Sequence, residues 1–489
     1  FHQRFRIVMV DEYQDSNVAQ YLLLKALAGP QTEVCVVGDE DQSIYRFRGA
    51  EVRNILKFPE EFSGTKVIRL EENYRSTGRI LSIASSVIEN NQERLGKTLW
   101  TRKPEGAKAR IVYLRDHDEE AAFCANLLSD GRYADTAILY RTNAQSLGFE
   151  SAFLRRGIPY RIVGSLRFYE REEVKDVLSF LAFLSNPLDE VAFRRIINKP
   201  SRGIGKAGLG KILDEAGEGD LLEACRRTLP RMSSRGAGEL KKFIALCDRL
   251  KGMLAEDPLA EMTEYLIRES GLLEYHARQD EIASTQKTAN LEEMVNAAAD
   301  YGKGPEALAS FLEDIELDRS SMAAVEESGE FVTLITMHNT KGLEFPRVVI
   351  SGLEEELFPG SSGFREVDYE EERRIFYVSL TRAKEELILT SCRSRFIWGR
   401  RNLQTPSCFL REIPAEAAVV EGDRPPAASE LSWTPGDGIY HDAYGTGVVV
   451  KSWQANESEL IIVRFETGRT ATFYPAYETH LERVSIDEF

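Results

Sequence analysis

The chain has 489 residues, 43% of them hydrophobic, and a net charge of −17. That length is too great for one compact core and predicts about three domains. No uninterrupted apolar run of about 18 residues occurs, which argues against a helical membrane span.

The first residues, Phe1-His2-Gln3-Arg4-Phe5, carry neither an initiator Met nor a secretory signal. Six cysteines, at 35, 124, 225, 247, 392 and 408, are scattered without a Cys-x-x-Cys pair. This argues against zinc and against a disulfide framework, and suits a cytoplasmic location. An acidic balance is awkward for a nucleic-acid binder. Phosphate contacts are local, however, and basic patches stand at Arg155-Arg156, Arg194-Arg195, 199–211 and 393–401.

In chain order, Ile7-Val8-Met9-Val10 reads as a strand buried on both faces that runs straight into Asp11-Glu12. Open α/β sheets place ligand chemistry at such a strand end, where one acid can hold Mg²⁺ and the next can orient a water. Residues 18–28 predict an amphipathic helix. Val34-Cys35-Val36-Val37 repeats the strand pattern and opens into Gly38-Asp39-Glu40-Asp41-Gln42, and Val67-Ile68-Arg69-Leu70 repeats it again before Glu71-Glu72-Asn73-Tyr74-Arg75. Helical spacing follows over 80–90, strands over 109–114 and 136–140, and a helix over 172–184. Strand signals vanish between about 187 and 328 and resume at 331–336, so an α/β unit is expected to be interrupted by an all-helical insertion. Pro425-Pro426-Ala427-Ala428 marks a linker over 414–432. Short strands at 445–450, 460–465 and 470–473 then predict a small β-barrel.

The runs from Asp11-Glu12, through Gly38 to Ala50, and from Glu71 to Gly78 resemble motifs II, III and IV of the superfamily 1 DNA helicases of the UvrD, PcrA and Rep type. Thr336-Met337-His338-Asn339-Thr340-Lys341-Gly342-Leu343-Glu344-Phe345 resembles motif V, and Glu371 to Ala383 resembles motif VI. The resemblance implies RecA-like parallel-sheet motor lobes: a partial first lobe (1–65) and a second in two parts (66–186 and 329–413). A helical insertion (187–328), a linker (414–432) and an SH3/Tudor-like tail (433–489) complete it. ATP and Mg²⁺ would be its cofactors. Asp11 would hold Mg²⁺ and Glu12 would activate water. Gln42 would sense the γ-phosphate, and Arg75 and Arg382 would stabilise its developing charge. Tyr74, Gly342 and Glu344 would hold the nucleoside.

The same resemblance implies single-stranded DNA and strand junctions as partners, met by Tyr45, Phe47, Arg48, Phe168, Thr336 and His338. Stacking faces and positive charge are what a single strand needs. The family usually has Gly and Trp where this chain has Arg46 and Phe47. Pro200-Ser201-Arg202-Gly203-Ile204-Gly205 resembles a hairpin that grips duplex backbone through Gly203 and Gly205.

The family's phosphate loop, Gly-x-x-x-x-Gly-Lys-[Ser/Thr], has no match. Gly205 to Lys211 fails at Ile212, and Gly96-Lys97-Thr98 fails at Asn91. The expectation is therefore an N-terminally truncated helicase, inactive alone, moving 3′ to 5′ in DNA repair or replication restart. Its tail would dock RNA polymerase or repair factors. The alternative is a non-catalytic DNA-binding subunit of a split helicase. A fused nuclease is discounted, because too few residues follow motif VI.

Overall fold

The computed structural model describes residues 5–283, 285–321, 330–360, 367–423, 433–442, 444–455, 458–466, 468–473, 475 and 481–484. Side chains at 235, 317–321, 453–455 and 458–460 are outside that description.

The N-terminal segment pairs β1 (Ile7–Val10) with β2 (Glu33–Val36) in parallel, Val8 opposite Val34 and Val10 opposite Val36. Between them runs α1 (Val18–Leu27), begun by a capping box in which the Asn17 side chain accepts from the Gln20 amide. Below lies α2 (Arg53–Glu61). Val8, Val10, Val34 and Val36 face Tyr13, Leu24, Ile55 and Phe58. The opposite face is uncovered, with Ile7 60% and Met9 73% exposed. The expectation of a strand buried on both faces is thus corrected: among the described residues only one face has a layer packed on it. Val67-Ile68-Arg69-Leu70 is also not a strand. It has no regular secondary structure and is exposed, and the nearest pairing is an isolated bridge between Glu72 and Trp100. β-branched residues need a partner strand to be worth their propensity.

From α3 (Gly78–Ile88) onward an α/β body forms. Its first elements are β3 (Ala109–Leu114), α4 (His117–Leu127), β4 (Thr136–Tyr140), α5 (Ser146–Arg155) and β5 (Tyr160–Val163). A helical series then follows: α6 (Glu172–Ser185), α7 (Glu190–Ile196), α8 (Lys206–Ala216), α9 (Leu221–Thr228), α10 (Ser234–Glu256), α11 (Leu259–Glu269), α12 (Leu272–Ala283), α13 (Lys287–Ala298) and α14 (Pro305–Ser321). The body resumes with β6 (Val332–Thr336), β7 (Phe345–Ile350), α15 (Tyr369–Leu380) and β8 (Ala383–Cys392), then a hairpin of β9 (Ser394–Ile397) and β10 (Arg400–Leu403), and β11 (Ala418–Glu421).

Among the described residues, seven strands make one parallel sheet in the order β11-β3-β8-β7-β4-β6-β5. Continuous apolar runs suit a sheet covered on both faces, and alternate residues go to opposite cores. Ala137 and Leu139 meet α3 and α15, whereas Ile138 and Tyr140 meet α4 and α5. The helical series leaves after β5 and returns before β6, yet β5 and β6 are paired neighbours. The series has a core around Phe180, Phe193, Phe243 and Phe311 that also takes in Leu147 of α5.

Residues 414–432, expected as linker, need correction. Residues 418–421 form the edge strand β11, with Ala418 opposite Ala109. The Pro425–Ala428 stretch itself lies outside the described residues. The described residues of the tail form a five-stranded antiparallel sheet, β15-β14-β13-β12-β16, from β12 (Gly438–His441), β13 (Gly445–Ala455), β14 (Ser458–Phe465), β15 (Thr470–Phe473) and β16 (Leu481–Val484). Among the described residues its edges β15 and β16 do not pair, so closure into a barrel is not seen.

One face of the body is sealed by a ring trio. Phe376 stacks on Phe409 at 5.7 Å between centroids, and Phe358 meets both edge-on at 5.8 and 5.5 Å. All three rings are fully buried. Phe376→Ala is expected to cost about 3–5 kcal/mol, since the packed neighbours cannot collapse into the space. Chemical denaturation followed by circular dichroism checks this; a loss below about 1 kcal/mol would contradict the packing.

Candidate nucleotide cleft and nucleic-acid interface

β1 delivers Asp11 and Glu12 at its carboxyl end, both exposed. Glu12 has φ of 50°, a left-handed conformation that a non-glycine side chain holds only under constraint. The constraint is visible. The Glu12 carboxylate accepts from Gln14 Nε2 at 2.6 Å and lies 3.1 Å from Lys341 Nζ. Gln14, fully buried, accepts the Asp39 amide at 3.0 Å and so ties the loop after β1 to the loop after β2. Close approach there needs Gly38, whose added Cβ would fall 2.5 Å from Gln14 Oε1. Burial works to raise the Glu12 carboxyl, but hydrogen bonds from Lys341 and Gln14 prevail and hold it below the usual range.

Lys341 is the cation that spans the cleft. Besides Glu12 it binds the Asp15 carboxylate, and it donates to the Gln42 carbonyl at 3.2 Å. The Gln42 side chain turns the other way, donating to Asp39 Oδ2 at 2.7 Å. Hard carboxylate oxygens at Asp11 and Glu12 are the donor set that Mg²⁺ takes. One oxygen of Asp15 beside them, Oδ1, is buried without a partner.

Of the two expected arginines, Arg75 lies in the loop just ahead of α3 and Arg382 directly precedes β8. Arg75 Nε donates to Glu344 Oε2 at 2.7 Å, and Lys384 approaches the other Glu344 oxygen at 2.7 Å. These two cations pull the Glu344 carboxyl down to about 2. Arg382, 2% exposed, donates to the Val378 carbonyl at 2.9 Å, the Leu343 carbonyl at 3.2 Å and Thr381 Oγ1 at 2.9 Å. Burial, reinforced by Arg75, lowers its guanidinium to about 10, still cationic at neutral pH. Tyr74 stands 75% exposed with its hydroxyl on Glu72, a free aromatic face. Gly342 has φ of 86° and turns the chain between Lys341 and Glu344.

Tyr45, Phe47 and Arg48 form one cluster with the motif V turn. Tyr45 and Phe47 lie 5.9 Å apart, Phe47 meets the His338 ring edge-on at 5.6 Å, and Arg48 covers both aromatic rings at 5.2 and 5.4 Å. Phe47 is 41% exposed, so a face remains open. Arg46 is drawn off to Asp368. Thr336 is buried at the end of β6, and burial lowers the His338 imidazole to about 3, helped by Arg141 and Arg48.

Phe168 requires correction. It is fully buried, packed against Tyr169 at 5.2 Å and under Arg171, and offers no stacking face. Its aromatic character serves the junction between body and insertion. Gly203, with φ of 69°, and Gly205 are exposed ahead of α8, where no side chain caps the first-turn amides. Gly203 needs its freedom; at Gly205 a Cβ would meet nothing. Beneath them Arg202 donates to the carbonyls of Ile196, Lys199 and Ser270 at 2.7, 2.9 and 3.0 Å and pins the turn.

Both rejected phosphate-loop matches fail structurally as well. Lys211 lies inside α8, and Lys97 is held by Asp39 and Asp41. Sequence reasoning passed over Lys341, Asp39 and Lys97, although Lys341 stood inside the quoted motif V run.

A parallel sheet that sets the acids of one segment against the cations of another has the layout of a RecA-like motor. The family comparisons agree. The UvrD/REP helicase N-terminal domain matches residues 1–63, and the UvrD-like helicase C-terminal domain matches 68–222 and 245–394. The chain belongs to the UvrD-like helicase family. It is 37% identical to DNA helicase II of Escherichia coli (strain K12), over 99% of this chain and 71% of that protein. It is 39% identical to the ATP-dependent DNA helicase PcrA of Bacillus subtilis (strain 168), over 95% of this chain and 69% of that protein. The N-terminal match starts at residue 1.

His338 yields a test. An imidazole depressed to about 3 stays neutral across the ordinary titration range, and its resistance to protonation costs folded-state stability as pH falls below the free value of about 6.5. Its NMR ring-proton shift should stay flat from about pH 8 to pH 5. A titration centred near 6.5 would contradict the burial.

Proposed function

We propose that this chain is the motor of an ATP-dependent DNA helicase that translocates 3′ to 5′ along single-stranded DNA, in repair or replication restart. The observation that carries it is the meeting of motifs 326 residues apart, where Lys341 of the second motor segment grips Asp15 beside the Asp-Glu pair of the first. ATP would lie in this cleft, its base on Tyr74 and its ribose near Glu344 and Gly342.

Asp11 would hold Mg²⁺, which neutralises phosphate charge when bound. Glu12, ionised at neutral pH, accepts from the attacking water and orients it. Arg75 and Arg382 present fixed guanidinium donors to the γ-phosphate, with Gln42 beside them as its sensor. Arg382 is preorganised by backbone carbonyls and needs little rearrangement as charge develops. No Gly-x-x-x-x-Gly-Lys-[Ser/Thr] stretch occurs in the sequence, so these residues supply the catalytic face of the nucleotide site and not a β-phosphate loop.

The DNA path runs over Phe47, Tyr45 and Arg48 beside His338, where an open ring and a guanidinium suit a stacked base. Because Phe47 touches motif V and Gln42 shares its loop with the nucleotide cleft, strand contact and nucleotide state bear on one element. Gly203, Gly205 and the uncapped amides of α8 would meet duplex phosphate without reading sequence.

The five-stranded tail would be an SH3/Tudor-like docking module for RNA polymerase or a repair factor. A cytoplasmic location fits six free thiols, and among the described residues no helix is long and apolar enough to cross a membrane.

Glu12→Gln in the full-length protein is expected to lower ATP turnover by about 100-fold or more, while single-stranded DNA affinity stays within about threefold. Steady-state hydrolysis and fluorescence anisotropy with a labelled oligonucleotide check the two arms. Unimpaired turnover would overturn the assignment.

A further inference from the structure

The Gly96-Lys97-Thr98 stretch has no place in the nucleotide site as a phosphate loop, yet its lysine is in the cleft. Lys97 Nζ binds Asp39 and stands 3.3 Å from Asp41 Oδ2, with its side chain only 15% exposed. It does not act alone. Arg94 forks onto Asp41 at 2.7 and 2.8 Å, and the Leu95 amide donates to Glu40 Oε1 at 3.1 Å. Three successive acids, Asp39, Glu40 and Asp41, are thus each gripped by one short segment that follows α3. Asp41 is fully buried, so its charge is tolerable only with these partners.

The consequence falls on Gln42. Its side-chain amide donates to Asp39 Oδ2 at 2.7 Å, while Lys97 holds Asp39 Oδ1. One carboxylate therefore fixes the lysine on one oxygen and the glutamine on the other. The Tyr377 ring, 5.9 Å from Lys97 Nζ, gives the ammonium a second wall. With Lys97 removed, Asp39 loses its charge partner and keeps only the Asp41 amide on Oδ1 at 3.0 Å, so the Gln42 amide meets a less firmly held acceptor.

We propose that residues 94–97 form a positioning strap, with Lys97 as its key residue, that aims Gln42 at the γ-phosphate through Asp39. This rests on the reading of Gln42 as the nucleotide sensor. Lys97 is a positioning residue: its partners are Asp39 and Asp41, not the reacting atoms. The strap lies in the second motor segment and its target in the first, so the aim of Gln42 depends on how the two segments sit together.

The test compares K97M, K97R, Q42A and the K97M/Q42A double variant in the full-length protein. Hydrogen exchange over residues 39–43, without nucleotide, reads the strap itself. K97M should raise that exchange and leave β3 and β4 unchanged, and K97R should restore it, since a guanidinium can fork across both carboxylates. Unchanged exchange in K97M would overturn the strap, whatever the catalytic role of Gln42.

Single-strand-stimulated ATP turnover reads the consequence. K97M should lower kcat about tenfold or more with the KM for ATP within about threefold. K97R should recover most of that loss, and the double variant should be no slower than Q42A, because both act through one side chain. Multiplying losses, or a normal kcat in K97M beside a crippled Q42A, would overturn the link from strap to Gln42. A normal kcat in Q42A would instead overturn the sensor reading and leave the strap to be judged by exchange alone. Thermal unfolding of each variant separates these effects from loss of fold.

Discussion

One ammonium group sets the geometry on which the cleft depends. Lys341 Nζ has Glu12, Asp15 and the Gln42 carbonyl around it, which matches its three donors with three acceptors. Its side chain is only 9% exposed, so the charge has lost most of its water, and only this full set of partners offsets that cost. The pairing holds the end of β1 against the turn after β6, and with it the left-handed Glu12.

The remaining charges are organised so that few are free to wander. Arg382 is clamped by carbonyls of its own neighbourhood, Arg75 and Lys384 share Glu344, and Asp39, Glu40 and Asp41 are each gripped from the segment after α3. A net charge of −17 therefore says little about the cleft, where cations and anions meet in small shared groups. In a partly dry site, groups held in this way need little reorganisation when new charge arrives.

The insertion joins the α/β body through buried polar contacts as well as apolar ones. Arg171 donates to Asn290 Oδ1 at 2.8 Å and to Ser146 Oγ at 2.9 Å, and Asn290 in turn donates to Glu173 at 2.6 Å. Phe168 packs beneath Arg171, which is why an aromatic that looked like a stacking platform is enclosed. The exposed Gly203–Gly205 turn stands on Arg202, whose guanidinium gathers the carbonyls of Ile196, Lys199 and Ser270.

Much was legible in the residues alone. Apolar runs at 109–114, 136–140 and 331–336 marked strands, and the polar runs that follow 7–10, 34–37 and 331–336 marked the candidate site, because both signals are local in the chain. The helical insertion was legible for the same reason, as a long stretch with one period and no other. What only the tertiary structure decided is which surfaces meet. Among the described residues, Ile7 and Met9 look like core residues but face no layer, Val67 to Leu70 has strand composition but no partner strand, and residues 418–421 join the sheet beside β3. Likewise, no pattern in the chain says that Lys341 reaches Glu12 or that Lys97 reaches Asp39. Such pairings depend on how separated segments pack, and Coulomb attraction acts through space without regard to sequence distance.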